Sequence, residues 1–201
     1  MTLRERNKAR TREVLVEAAL TLFAKFGFES TTVDQIAEEA KVSRRTFFRY
    51  FPTKEAVVFP ERERRLAEFR AMLTGHHNGS APFETLRKAF LVLADDYTAN
   101  RERVMLQQRV VEDSPTLLAY DFELDRHWEG AVAEALGDCP RTGAKQRRRA
   151  RLEAGALMGA VRATLQEWYA SGGRLSLRTL GQQAFDLMNH GLAAEHEPEG
   201  T

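Results

Sequence analysis

The 201-residue chain has one cysteine, six prolines and no long apolar run. The lone Cys139 closes no internal disulfide, and without a second cysteine it offers no thiolate pair for a metal centre, so a reducing cytoplasm is the expected setting. No stretch approaches the roughly 18 apolar residues of a membrane span, and the opening MTLRERNKARTRE is charged where a secretory signal needs an apolar core. Catalytic signatures are missing too. There is no Gly-rich phosphate loop, nucleophile elbow, Cys–His set or paired metal motif, and Asp, Glu and His scattered on amphipathic segments read as surface charge. No enzyme, cofactor or metal is expected. The adjacent His76 and His77 lie in the loop TGHHNGSAP with no carboxylate or cysteine at ligand spacing, which reads as solvated imidazole rather than a metal site. Internal repeats are absent, and only the tail EHEPEGT reads as disordered.

What the chain does have is an ordinary globular composition, 43% hydrophobic and 29% charged, and a net charge of +1 that hides an asymmetry. Residues 1–54 carry 11 Lys and Arg against 7 Asp and Glu, whereas residues 55–201 carry 19 against 22. A basic head on an acidic body suits a protein whose N-terminal part meets a polyanion.

The most informative stretch is TTVDQIAEEAKVSRRTFFRYFPTK, residues 31–54. Thr32 with Gln35 three residues on is a capping box, and Val33, Ile36, Ala37 and Ala40 then repeat at helical spacing. Ser43 caps a second short helix. Its first residues Arg44, Arg45 and Thr46 are polar donors, while Phe47 and Phe51 return to a core face. This is the pattern of a helix-turn-helix whose second helix presents its N-terminal side chains to base edges, arginine being shaped to grip guanine O6 and N7. Ahead of it, a helix is expected from about residue 11 to 26, with Val14, Ala18, Leu22 and Phe26 on its apolar stripe and Gly27 as its left-handed stop. The alternating basic residues before it read either as a solvated arm or as a phosphate-contacting one. Arg49 and Tyr50 stand near the end of the second short helix, the Tyr50 hydroxyl placed for a phosphate, and Thr53 and Lys54 stand where another helix begins and free N–H groups attract phosphate; Thr53 is equally a cap.

These residues, with AKFGFESTTV before them and the FPTKEAV junction after, resemble the TetR family of transcriptional regulators. The sequence departs from many relatives at Arg45, often Gly, and at Phe48, often Tyr; Phe48 is then expected against a thymine methyl. The resemblance implies a DNA-contact set of Thr31, Thr32, Ser43, Arg44, Arg45, Thr46, Phe48, Arg49, Tyr50 and Lys54. It also implies an all-α protein, an N-terminal three-helix DNA-binding domain (1–54) joined to a larger helical effector-binding and dimerisation domain (55–201).

The body pattern agrees with that class. Helices are expected near 54–73, 83–100, 101–112, 114–136, 142–171 and 176–192, with breaks at Ser114-Pro115, Gly137–Pro140 and Ser171-Gly172-Gly173. Pro60 either kinks the first of these or marks its late start. The basic run QRRRAR, residues 146–151, reads as a solvated helix start. Phe90, Leu93, Tyr97, Met105, Phe122, Trp128 and Met158, with Gln108 and Arg162 as polar partners, are core by default. In the family such side chains line an effector cavity. Gly155, Gly159 and Ala163, then Phe185, Met188 and Leu192, fall on the last two helices, through which the family dimerises.

The segments ARLEAGALMGAVRATLQEWYASGG and DSPTLLAYDFELDRHWEGAVAEAL resemble the subgroup of the mycofactocin-system regulator, associated with acyl-CoA-type effectors. The functional expectation is therefore a homodimeric repressor, released from a palindromic operator by a small, acyl-CoA-like or hydrophobic effector. The alternative is a helical ligand-binding or interaction protein that does not read specific DNA.

Overall fold

The computed structural model describes residues 2–74 and 82–190; His76, His77, Leu192 and the EHEPEGT tail lie outside them. Among the described residues there are nine α-helices and no strand: α1 (Leu3–Phe26), α2 (Val33–Glu39), α3 (Arg44–Tyr50), α4 (Arg62–Thr74), α5 (Pro82–Ala99), α6 (Arg101–Glu112), α7 (Pro115–Ala135), α8 (Ala144–Ala170) and α9 (Leu177–His190). A 3-10 turn, Glu55–Val57, precedes α4.

The chain divides into two compact units that a single cut does not separate. The first comprises residues 1–64 and 102–124; the second, 65–101 and 125–201. Beyond the helix-turn-helix, the first unit thus takes in nearly all of α6 and the first half of α7.

α1 begins eight residues earlier than the apolar pattern predicts. Thr2 and Glu5 form a capping box in which each side chain satisfies the other's backbone N–H, so the basic opening segment is helical. The buried face is set by Leu15, Val16, Ala19, Leu20 and Phe23, whereas Val14 and Phe26, both expected on the apolar stripe, are exposed. Gly27 ends the helix at φ 83°, ψ 156°, a positive-φ conformation outside the left-handed helical well and open essentially only to glycine.

The first core joins these α1 residues to Phe28, Ile36, Phe47, Phe51, Val57, Val58 and Phe59, and to Val110, Val111 and Leu117 from α6 and α7. Pro60 is buried ahead of α4, so it marks a late helix start rather than a kink. Ion pairs surround this core: Glu61 takes Arg12 at 2.9 Å and Arg64 at 2.6 Å, and Arg103 reaches Glu13 at 2.5 Å. Burial raises the affinity of Glu61 for its proton, but Arg64 and Arg12 outweigh it and hold the carboxyl below the ordinary range.

The second core is aromatic. Phe69, Trp128 and Phe185 pack with Leu86, Val132, Leu157 and Met158, and the Phe69 ring lies 4.8 Å from Phe90 and 5.1 Å from Trp128. Arg65, nearly buried, pairs with Asp96 at 2.7 Å and lies over the Tyr97 ring, so its charge is met on two sides.

Candidate DNA-reading surface

Two short helices cannot hold an orientation by their own hydrogen bonds, so the caps and the core beneath them must do so. Thr32 accepts from the Gln35 N–H at 3.2 Å while Gln35 Oε1 accepts from the Thr32 N–H at 2.8 Å, the reciprocal box expected of α2. Ser43 accepts from the Thr46 N–H at 3.1 Å and opens α3. Between them Lys41 adopts φ 53°, the left-handed conformation that lets two seven-residue helices cross at a tight turn. Phe47 is fully buried and stacks edge-on against Phe48, so the face of α3 opposite Phe47 is turned outward.

That outward face carries Arg44, Arg45, Phe48 and Arg49, all exposed, with Thr46 and Tyr50 half-buried at its edges. The two leading arginines differ. Arg44 donates from Nη1 to Asp34 Oδ2 at 2.8 Å and sits 5.6 Å from the Phe48 ring centroid. Arg45 has no ion-pair or hydrogen-bond partner among the described residues. Arg49 lies over the Tyr50 ring at 5.2 Å. Ser43 and Thr32 use their hydroxyls as caps, and Ser43 Oγ also lies 3.0 Å from Thr46 Oγ1.

Two residues of the expected contact set point inward. Thr31 is 2% exposed and donates from its hydroxyl to the Gly27 carbonyl at 2.8 Å. Lys54 Nζ donates to the carbonyls of Phe28 at 2.7 Å and Thr31 at 3.0 Å, and lies 4.0 Å from the Phe28 ring centroid. Burial pulls the Lys54 ammonium below the ordinary lysine range, against the opposing pull of Glu55 and Glu29. Both side chains thus fasten the turn between α1 and α2.

A third fastener, which local sequence does not announce, holds the same turn. The hydroxyl of Ser114, itself 1% exposed and the cap of α7, donates to Glu29 at 2.6 Å across 85 residues of chain. That bond, ahead of the smaller pulls of Thr116 and Lys54, keeps the Glu29 carboxyl below its usual range in spite of some burial. Asp34 and Ser114 were both missed by pattern reading. Asp34 carries a usable signal, an acid on α2 beside the arginines of α3, whereas Ser114 carries none beyond its place as a cap.

An exposed cationic and aromatic face on a capped helix has the charge and shape to meet a polyanion. Comparison with known proteins decides what kind. Residues 15–59 match the bacterial regulatory proteins of the tetR family, and residues 80–193 match the MftR C-terminal domain. The chain belongs to the TetR family of transcriptional regulators.

Among its relatives is the HTH-type transcriptional regulator TcmR of Streptomyces glaucescens, 34% identical over 83% of this chain and 76% of TcmR. The putative mycofactocin biosynthesis regulator MftR of Mycobacterium tuberculosis is 27% identical over 93% of each chain. Among solved structures, the TetR-family repressor FadR of Thermus thermophilus in complex with lauroyl-CoA superposes with a TM-score of 0.58 at 27% identity, covering 94% of this chain and 99% of that one. The family is one of regulators, not enzymes, and no described helix of this member is long and apolar enough to cross a membrane.

The remaining predicted residues of this regulator fall into separate places. Phe90, Leu93, Trp128 and Met158 gather in or against the second core, and Tyr97 lies beside buried Trp168. Arg162 is exposed and pairs with Asp125 at 3.5 Å. Met105, Gln108 and Phe122 belong instead to the first unit; Gln108 bonds Glu112, and Phe122 is 65% exposed. Phe185 is sealed in the second core against Phe83 and Phe90, while Gly155, Gly159 and Met188 are half-buried and Ala163 is exposed.

Proposed function

We propose that this regulator acts as a homodimer that reads a palindromic operator through α3 and leaves it when a small-molecule effector binds. The observation that carries the reading is the outward face of α3, where Arg44, Arg45, Phe48 and Arg49 project from a helix anchored by buried Phe47. Arg44, Arg45 and Phe48 take base edges. Thr46, Arg49 and Tyr50 take phosphates, with the caps Thr32 and Ser43 beside them. Thr31 and Lys54 contribute by fixing the turn that carries α2. The functional boundary remains at residues 54 and 55: the first segment contacts DNA, and the α6–α7 residues packed with it support it.

One recognition helix of seven residues reads too few base pairs for an operator, so a second copy is required. Support for pairing through α8 and α9 comes from an exposed stripe of Leu152, Ala156 and Ala163 with half-buried Gly159 at spacings of three and four, and from exposed Leu187 on α9. Small residues permit close helix approach, and Leu152 is 66% exposed in the single chain. Met188 borders this stripe; Phe185 supports it from within.

For the effector, a fatty-acyl thioester is the proposal, bound in the second unit among Phe90, Leu93, Tyr97, Trp128 and Met158, with Arg162 as its polar partner. It is supported by the match to the MftR C-terminal domain and by the likeness to a FadR that was solved with lauroyl-CoA. Repression follows if the bound form disfavours the half-site spacing, by no more than the effector's difference in affinity for the two forms.

The test is a light-scattering and band-shift titration on a selected operator. Two chains per site and release by lauroyl-CoA are expected. One chain per site would overturn the dimer, and full occupancy at saturating lauroyl-CoA would overturn the acyl effector.

A further inference from the structure

We propose that Asp34 is a specificity-determining residue of the DNA-reading surface, acting through Arg44 rather than on DNA itself. The inference rests on the reading of α3 as the recognition helix.

Asp34 is exposed and lies in the first turn of α2, where the helix dipole favours an acid. The helix that carries it is fixed, because Ile36 and Ala37 are buried on the opposite side of the same two turns. A carboxylate beside a surface that meets phosphates is repelled by them, so Asp34 adds nothing to affinity for DNA in general. What it does is hold the Arg44 guanidinium by one nitrogen, Nη1, at 2.8 Å while the Phe48 ring lies beneath it at 5.6 Å.

The grip has a consequence for recognition. With Nη1 taken, the guanidinium keeps its Nε and Nη2 donors as a two-pronged edge, and neither has a partner among the described residues. That edge matches the O6 and N7 acceptors of guanine. An arginine held in this way gives up less side-chain freedom on reaching a base and is less available to stray phosphates. Arg45, one residue on and without a partner, has no such restraint. The neighbouring arginines therefore differ: Arg44 is aimed at one base by Asp34, whereas Arg45 reaches its base edge from an unrestrained side chain.

The experiment measures affinity of the full-length protein for the selected operator, for the operator changed at each base pair in turn, and for random duplex. Wild type, Asp34→Asn, Asp34→Glu, Arg44→Ala and the double variant D34N/R44A are compared, with thermal unfolding of each. Asp34→Asn is expected to bind random duplex a few-fold more tightly and to lose about 10-fold of discrimination at the one base pair that Arg44→Ala also relaxes. Asp34→Glu restores part of that discrimination, and in the Arg44→Ala background Asp34→Asn changes discrimination no further.

Unchanged discrimination in Asp34→Asn overturns the proposal. So does a loss that persists without Arg44, or an equal loss on every duplex with a lowered melting temperature, which marks a structural role in α2. If the wild-type protein selects no duplex at all, the DNA-reading assignment itself fails, before any variant is compared.

Discussion

The two units solve opposite surface problems with similar interiors. Each is closed by large side chains at or near zero exposure, Phe47 in the first and Phe69 and Trp168 in the second. Outside these cores they diverge. The first unit ties Lys54 and Glu29 into brackets around the turn between α1 and α2, and turns the arginines of α3 outward. Both expose apolar side chains, Phe26, Leu118 and Phe122 among them in the first, but the second lines up small residues with them, Leu152, Ala156 and Ala163 on α8, and adds Leu187 on α9. An outward cation suits a polyanion and an outward leucine suits a second protein surface. The two halves of the proposed function thus rest on how exposed side chains are arranged on each unit, a cationic face on α3 and a small-residue stripe on α8, and not on which kinds are exposed.

The largest expected effect comes from removing what the units share. Phe47→Ala and Phe185→Ala should each cost about 3–5 kcal/mol of stability in denaturant titrations followed by circular dichroism, because each leaves a cavity in a closed core. A much smaller loss at either site would mean that its core is looser than the burial indicates.

Next come the surfaces on which the units differ. Arg44→Ala should lower operator affinity by about 1–3 kcal/mol and relax one base position, read by competition with operator variants. Leu152→Glu should leave base preference unchanged but shift the sedimentation profile to single chains. If instead the leucine change altered base preference while dimers persisted, the division between a DNA face and a pairing face would be broken.

A third effect is local to the first unit. Gly27 has a conformation that other residues reach only with strain, and a Cβ there would meet no atom within 4 Å, so conformation alone should set the penalty. Gly27→Ala should cost about 1–3 kcal/mol, visible as a lower melting temperature.

Acid should also act on the first unit. Glu29 and Glu61 have folded-state affinities for protons below their unfolded values, so the stability they confer is present above the ordinary glutamate range near pH 4.5 and is lost as pH falls through their lowered folded values. Urea titrations from pH 7 to pH 3 should show this loss, and Glu29→Gln with Glu61→Gln should flatten it.

The smallest effect sharpens the helix-turn-helix itself. Lys41 at φ 53° is a non-glycine in a left-handed conformation, and Lys41→Gly should stabilise the protein by about 0.5 kcal/mol, relief of strain being partly offset by the freer unfolded chain.

Much of this architecture could be read in sequence because its signals are local. The Thr32–Gln35 box, the Ser43 cap and the Phe47 anchor lie within four residues of what they act on, and α6 spans the predicted 101–112. Where the sequence reading fell short, the cause was distance or an overlooked cap. The Thr2–Glu5 box would have moved the start of α1 to Leu3, since arginine, lysine and glutamate are good helix formers even without an apolar stripe.

Nothing local could reveal that Lys54 turns inward to two carbonyls, or that Ser114 reaches Glu29. The same holds for the membership of α6 and the first half of α7 in the first unit. On α8 the spacing singles out Gly155, Gly159 and Ala163, of which Ala163 is exposed and the glycines half-buried, while exposed Leu152 and Ala156 go unmarked; Phe185 could be placed in the core only once α5 and α9 were seen together.

The most direct test of the central claim is selection of bound sequences from random duplex DNA, followed by titration of the winner over a range of salt. The account predicts a palindrome with half-sites about one helical turn apart, bound with a steep fall in affinity as salt rises. Enrichment of no sequence, or binding that ignores salt, would contradict it and leave the helical ligand-binding protein without a DNA target as the reading to pursue.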